Sequence, residues 1–583
     1  MTTSLVDAES LLALEIGSVT TRAVLFDVVE GRYRYLGAGS APTTAGAPFH
    51  NIIDGVRNAL NQLQEVSGRT FIGADGQLMI PARPDGTGVD ACVASLSVGP
   101  PLKVLAVGLL EDVSTESAQN LATTTYAHVI ETMSLNDRRK TTARLDNILR
   151  LRPDLIIVAG GIEKGASQSV LSILESVGLA CGVLPKEQRP EVLFAGNSAL
   201  VKDVQQTLGT LASLQIAPNV RPTLDIEQLT PAQPALAQVF RHVRARQIRG
   251  VQEVDLWTGR KLMPSAMAFG RTIRYVSMEF PKKGVLGVDV GASATTIASA
   301  FAGDLILSVQ SRLGLGENLP GILSLCSPDD ILRWLPIELS ADKLRDYIYN
   351  KSLYPASIPI TEEELLIEQA LATQAMYLAV RQARKSYPSS VHAPLPGLLP
   401  SFEPIIATGS VLTQAPKRGQ ALLTLLNALQ PTGVTTIALD RNNLAAMLGA
   451  ASGKNQYLVV QSLDATNFYN LATVISPVGQ ANPGTPVLHV RMTLPGGHET
   501  SREVKFGALE VLELPMGQTA TLRLQPLHRF DVGMGGPGVG GNAVVTGGEC
   551  GVIIDARGRP IRLNQEPPMR MEQIKKWRAV LRA

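Results

Sequence analysis

Residues 284–296 read Gly284-Val285-Leu286-Gly287-Val288-Asp289-Val290-Gly291-Ala292-Ser293-Ala294-Thr295-Thr296. The apolar run predicts a buried strand with an acid near its end. The small and hydroxyl residues after it predict a tight turn, and Ile297-Ala298-Ser299-Ala300 predicts the return strand. Near the N-terminus, Leu14-Glu15-Ile16-Gly17-Ser18-Val19-Thr20-Thr21-Arg22 leads into Ala23-Val24-Leu25-Phe26-Asp27. An acid, a glycine two residues on, and a Thr-Thr pair entering a second strand therefore occur twice. The second turn reads as one residue longer than the first.

Each copy reads as a hairpin with the chemistry to hold phosphate. Glycine permits close backbone approach, successive backbone N–H groups form an anion-binding concavity, and Ser and Thr hydroxyls add donors. A carboxylate beside phosphate needs a cation between them. Mg²⁺ suits, since it is bound by one or two carboxylates together with substrate phosphates and waters. Two such hairpins facing each other would grip a nucleoside triphosphate from both sides.

Working outward, residues 103–108, 155–161 and 191–197 read as strands running into glycine. Helical patterns at 113–133, 170–177 and 200–211 alternate with them, which indicates an α/β sheet. The segment 235–250 reads as a basic helix with Arg241, Arg244, Arg246 and Arg249 on a solvated face. The turn Leu313-Gly314-Leu315-Gly316 carries little information alone. Thr361 and Glu364 form a capping box for a helix over 361–386. Pro404-Ile405-Ile406-Ala407-Thr408-Gly409-Ser410 is again a strand running into glycine, and residues 444–451 read as a short helix of small residues. From about residue 455 helical periodicity stops, and strands are expected at 472–475, 487–492, 504–512 and 520–524. The glycine run 533–541 lacks the Lys-Ser/Thr and the helix of a phosphate loop, so it reads as a flexible loop. Residues 571–583 read as a surface helix.

Bulk composition narrows the function. The chain has 583 residues, enough for several domains. A formal charge of +2 and 4% aromatic residues argue against a nucleic-acid partner. Cys92, Cys181, Cys326 and Cys550 lack paired metal-site spacing, and they read as thiols of a reducing compartment. Residues 1–10 carry no basic leader pattern, and no apolar stretch is long enough to span a bilayer. A cytoplasmic location is expected.

The order of these motifs resembles the phosphate 1, phosphate 2 and adenosine motifs of the actin, sugar-kinase and heat-shock-chaperone ATPase superfamily. More narrowly, the chain resembles the glutamate mutase L family. Residues 15–22, 153–161, 288–296, 405–410, 439–451 and Gly547-Gly548-Glu549-Cys550-Gly551-Val552-Ile553-Ile554-Asp555-Ala556-Arg557-Gly558-Arg559-Pro560 carry that likeness. It implies an α/β fold of two actin-like (ribonuclease H-like) domains flanking a nucleotide cleft, plus a C-terminal mainly-β domain. The expected boundaries are 1–283, 284–454 and 455–583. It further implies Mg-ATP as ligand, with Glu15 and Asp289 holding the metal and Asp289 orienting the attacking water. Gly17, Ser18, Thr20 and Thr21 would cradle one side of the phosphates, Gly291, Ser293, Thr295 and Thr296 the other, and Gly409 and Ser410 the adenosine. Glu15 stands where the superfamily usually has Asp. Glu364, Glu368 and Gln374 remain open as positioners of water. The implied output is remodelling of a partner enzyme, with a cobalamin-dependent mutase as candidate. The alternatives are a nucleotide-dependent self-assembling scaffold and, ranked last, a small-molecule kinase.

Overall fold

The structure is a computed structural model, and it describes residues 9–165, 167–464 and 468–583. Most of the N-terminal stretch read against a leader, residues 1–8, lies outside the described residues. The chain divides into two compact units. The first comprises Met1–Ala268 with Leu307–Ser311 and Gly449–Lys454, and the second Phe269–Ile306, Arg312–Leu448 and Asn455–Ala583.

In the first unit, β1 (Leu11–Ile16), β2 (Thr20–Val29) and β3 (Arg32–Pro42) form an antiparallel meander. β4 (Ala91–Leu96) adds parallel to β1, and β10 (Met263–Pro264) parallel to β4. The order is β10-β4-β1-β2-β3. The helix Ile52–Ser67 follows β3. Asn51 caps it by accepting from the Ile53 amide at 3.1 Å, and Gly68 ends it in the left-handed region.

Between β4 and β10 the chain builds a second, wholly parallel sheet from β5 (Leu102–Gly108), β6 (Ala127–Ser134), β7 (Leu155–Val158), β8 (Glu191–Phe194) and β9 (Ser213–Ile216). Its order is β6-β5-β7-β8-β9, a doubly wound arrangement. Here the helix expected over 113–133 is corrected. A π turn at Glu111–Thr115 and the helix Glu116–Ala122 occupy its first half, and β6 takes most of the remainder. The β-branched run Thr123-Thr124-Thr125, of low helix propensity, follows the helix end and forms the turn into β6. The basic helix is present as Gln233–Gln247. Its face is not simply solvated: Arg244 is fully buried, Arg241 pairs with Asp255 and Arg246 with Glu191.

The second unit repeats the first sheet. β11 (Gly284–Val290), β12 (Thr295–Phe301) and β13 (Asp304–Gln310) follow one another, while β14 (Phe402–Thr408) and β15 (Gly433–Asp440) add parallel on the other side of β11. The order β13-β12-β11-β14-β15 matches β3-β2-β1-β4-β10 strand for strand. Expected helices are present at Glu362–Ala383, with its Thr361–Glu364 capping box, and at Ala445–Ala451, and another helix spans Arg418–Leu429.

The C-terminal region is strand-rich. β16 (Phe468–Ser476), β22 (Val552–Asp555) and β19 (Leu509–Leu512) continue the second unit's sheet beyond β15. β17 (Pro486–Thr493), β18 (Glu499–Lys505), β20 (Thr519–Pro526) and β21 (Gly541–Thr546) form a separate four-stranded sheet in the order β18-β17-β20-β21. The single strand expected at 504–512 is two, β18 and β19, parted at Gly507, whose φ of 92° no extended strand adopts. The C-terminal helix is Pro567–Val580.

Candidate functional site

In the second unit, β11 ends in a four-residue turn. Val290 pairs with Thr295 and Asp289 with Thr296, and the Gly291 amide donates to the Ala294 carbonyl at 3.0 Å. In the first unit, Ile16 pairs with Thr21 and Glu15 with Arg22, and the Gly17 amide donates to the Thr20 carbonyl at 3.0 Å. The two turns therefore have the same length. The extra residue read into the second is corrected: it came from aligning the Thr-Thr pairs, which sit one register apart. Thr21 and Thr295 hold equivalent positions, while Thr20 matches Ala294 and Arg22 matches Thr296.

The equivalent threonines do equivalent local work. Thr295 is buried and its hydroxyl donates to the Leu313 carbonyl at 2.7 Å; buried Thr21 shares a hydrogen bond with the Thr43 hydroxyl at 2.9 Å. Each turn is also braced from behind at its glycine carbonyl. Thr43 Oγ1 donates to Gly17 O at 2.8 Å, and the Leu315 amide donates to Gly291 O at 3.0 Å. In the second unit the Gly316 amide adds a bond to Ala292 O at 2.9 Å, and Asn318 Nδ2 one to Ser293 O at 3.2 Å.

This brace is what sequence reading missed, and its signal was the Gly-Leu-Gly spacing. A Cβ on Gly314 would overlap the Ala292 carbonyl, and one on Gly316 would lie 2.9 Å from the same oxygen. Gly314→Ala is expected to destabilise the second unit by about 1–3 kcal/mol through this overpacking, read as a lower midpoint in denaturant with unchanged slope.

Of the other residues expected in the turns, Gly17, Ser18 and Gly291 are half-buried and Thr20 is exposed. Ser293 and Thr296 are buried, and Thr296 Oγ1 is a buried hydroxyl without a hydrogen-bond partner. Glu15 is half-buried at the end of β1, in register with Ser95 of β4.

In the second unit the parallel strands β11, β14 and β15 end together. Asp289 is in register with Thr408, and Ala407 with Leu439, one residue before Asp440. Carboxyl ends of parallel strands are where α/β sheets place ligand chemistry. Asp440 is fully buried and accepts from the amides of Leu444 at 2.9 Å and Ala445 at 2.7 Å, so it caps the helix Ala445–Ala451. Burial, and then the Asp440 carboxylate, push the Asp289 carboxyl up to about 7. Two carboxylates held near one another in this way form an oxygen donor set that a divalent cation suits. Asp440 is not singled out by the sequence; it falls only within the segment 439–451 that carries the family likeness.

Gly409 follows β14 with φ of 109°, and a Cβ there would overlap the Val290 carbonyl. It is thus the residue that lets the turn after β14 lie against the end of β11. Ser410 is exposed, and the Thr408 hydroxyl bonds Asn443 Oδ1 at 2.8 Å. The three residues left open on the long helix are all engaged locally. Glu364 closes the capping box, Glu368 pairs with Lys351 at 2.6 Å and accepts from Tyr347, and Gln374 Oε1 accepts from Trp334 Nε1 at 3.2 Å.

The repeated five-stranded order, each copy with a glycine turn after its central strand, defines an actin-like (ribonuclease H-like) α/β protein. The MutL protein family model matches residues 11–466, and the chain belongs to that family. It is 23% identical to Protein MutL of Clostridium tetanomorphum over 348 residues, covering 55% of this chain and 72% of that protein. Among solved structures it is similar to an ATP-dependent caprolactamase from Pseudomonas jessenii, at 13% identity and TM-score 0.30, covering 85% of this chain and 81% of that one. It is also similar to a diol dehydratase-reactivating factor in nucleotide-free form, at 10% identity and TM-score 0.27, covering 76% and 99% of the two chains.

Proposed function

We propose that this chain is an actin-like ATPase that binds Mg-ATP through its two glycine turns and uses nucleotide-driven domain motion to remodel or reactivate a partner enzyme. The observation that carries this reading is the duplicated hairpin, with the same glycine-closed turn, a hydrogen bond bracing the same glycine carbonyl and an acid at the same strand position in both units. Family membership supports it. A cobalamin-dependent mutase is the candidate partner.

The residues present fit the ligands proposed. Gly409 lets the turn after β14 lie against the end of β11, which brings the proposed adenosine segment beside the second glycine turn. The Asp289–Asp440 pair would be relieved of mutual repulsion by a divalent cation. Asp289 and Glu15 would hold Mg²⁺, which when bound neutralises charge developing on the transferred phosphoryl group. Gly17, Ser18, Thr20, Gly291 and Ser293 would cradle the phosphates, and Ser410 the adenosine. Thr21 and Thr295 act one step back, fixing the turn through Thr43 and Leu313. Thr296, the residue paired with Asp289 across the hairpin, contributes its unpaired hydroxyl. Ionised Asp289 orients the attacking water.

This assignment predicts a pH dependence. Mg²⁺ binding to the nucleotide-free chain should strengthen as Asp289 ionises through about pH 7. Asp440→Asn removes the like charge, lowers the Asp289 pKa and moves that rise to lower pH. An unmoved rise would show that another group titrates. The reactivation reading is tested with the holoenzyme of a cobalamin-dependent mutase inactivated in turnover. Mutase activity should return with this protein and ATP, and not with ADP; equal recovery with either nucleotide would contradict it.

A further inference from the structure

A cavity lies in the second unit, built by elements that the glycine turns do not use. It holds about 240 Å³ and is lined by Arg333, Trp334, Tyr377, Gln430 and Arg570, with the segment from Pro560 to Gln565 completing the wall. The two guanidinium groups are the only charged side chains in the lining. The single acid bonded to Arg333, Asp330, stands 3.8 Å away and is itself open to solvent. Arg333 also reaches Gln374 Oε1 at a long 3.4 Å, and Arg570 the Gln565 carbonyl at 3.5 Å.

Both arginines carry an Nε that is buried and has no hydrogen-bond partner. Buried unpaired donors are unfavourable, and those of a guanidinium more so. Both arginines line the one cavity, and the donors that can face a ligand there are their terminal N–H groups rather than the enclosed Nε. Arg333 is further held in place by stacking, its guanidinium lying 5.2 Å from the Trp334 ring and 5.6 Å from that of Tyr377. A guanidinium locked this way presents its remaining edge as a fixed fork, the geometry that matches a carboxylate through two parallel bonds.

The rest of the wall sets the ligand's other end. Ile561, Leu563, Pro560 and the two rings are apolar, while Gln430 is already engaged with the Ile561 amide at 2.8 Å. The volume exceeds a water's share of about 30 Å³ several-fold and lies below the roughly 300–1,000 Å³ of pockets for drug-sized molecules.

We propose that this cavity is a binding site for a small organic carboxylate, its charge held by Arg333 and Arg570 and its short apolar body against Ile561 and Leu563. The site is independent of the nucleotide reading. Its wall includes residues directly after the buried Arg559, so occupancy would stiffen the segment that ties the C-terminal helix to β22.

The test is calorimetric titration of the full-length protein, without nucleotide, with benzoate, butyrate and inorganic phosphate in turn. Saturable binding of benzoate or butyrate at one per chain, weakened about tenfold or more by Arg570→Gln and by Arg333→Gln, is the expected result. Leu563→Trp should abolish it by filling the cavity, and Arg562→Gln, on the exposed side of the same segment, should leave it unchanged. Thermal unfolding of each variant separates lost binding from lost folding. Saturation by none of the probes, or binding unaffected by loss of either arginine in folded protein, would overturn the proposal. Phosphate binding as tightly as benzoate would overturn the carboxylate assignment.

Discussion

Asp289→Asn is expected to lower ATP turnover by about 100-fold or more, the scale of a lost acid–base group, and to make the protein more stable at pH 8. The two effects share one cause. Burial and the Asp440 carboxylate hold the Asp289 carboxyl up at about 7, well above the ordinary range for an aspartate. The folded chain therefore binds this proton more tightly than the unfolded chain. Folding takes up a proton between about pH 4 and pH 7, so stability falls as pH rises through that window and remains lower above it. Removing the charge should restore on the order of 2 kcal/mol at pH 8. At pH 4, where Asp289 is protonated in the folded state, the substitution should have little effect. Urea midpoints of both proteins at the two pH values check this. A functional acid kept against stability gives lost turnover with gained stability; an aspartate that merely holds the fold would give loss of both.

The second large effect is at the opposite kind of carboxylate. Asp555, on β22, is fully buried between Arg557 and Arg559. Arg557 meets it through two bonds, of 2.8 and 2.9 Å, and Arg559 through one of 2.9 Å. The remaining donors are also taken. Arg557 reaches Asn427 at 2.7 Å and stacks 4.5 Å from the Trp577 ring, and Arg559 reaches Ser476 and the Pro431 carbonyl, each at 2.8 Å. Asp555→Asn leaves two buried guanidinium groups without their anion, a loss of about 3–5 kcal/mol, out of the roughly 5–15 kcal/mol typical of a folded domain. Burial alone would raise this carboxyl, but the two arginines outweigh it and hold it far below the usual range. Its contribution is thus complete above about pH 4 and is lost only as pH falls toward the much lower folded value. The variant should show a markedly lower urea midpoint at pH 7 and a smaller further loss on acidification than the parent.

Much of this was legible in the chain. The hairpin echo is local: acid, glycine and return strand lie within a dozen residues, and each acid interrupts an otherwise continuous apolar run. The capping box of Glu362–Ala383 is equally local. What was not legible depends on partners distant in sequence. Aligning Thr20-Thr21 with Thr295-Thr296 misjudged the turn length, because hydroxyl identity is a weaker guide than which residue closes the turn. The braces from Thr43 and Leu315 are hydrogen bonds across 26 and 24 residues, and periodicity carries no trace of them. Asp440 reads as a strand end until its strand is seen two places from β11. The doubly wound order of the inserted sheet likewise follows from which strands pair, with β6 mistaken for helix until its pairing with β5 is seen.

The proposed binding of one Mg-ATP by the duplicated turns is open to equilibrium titration of the purified chain with ATP, with and without Mg²⁺. One ATP should bind per chain, tightened by Mg²⁺, and weakened by substituting a bulky residue for Gly409 and also by Asp289→Asn. Absence of ATP binding by folded protein, or binding indifferent to Mg²⁺ and to both substitutions, would contradict it.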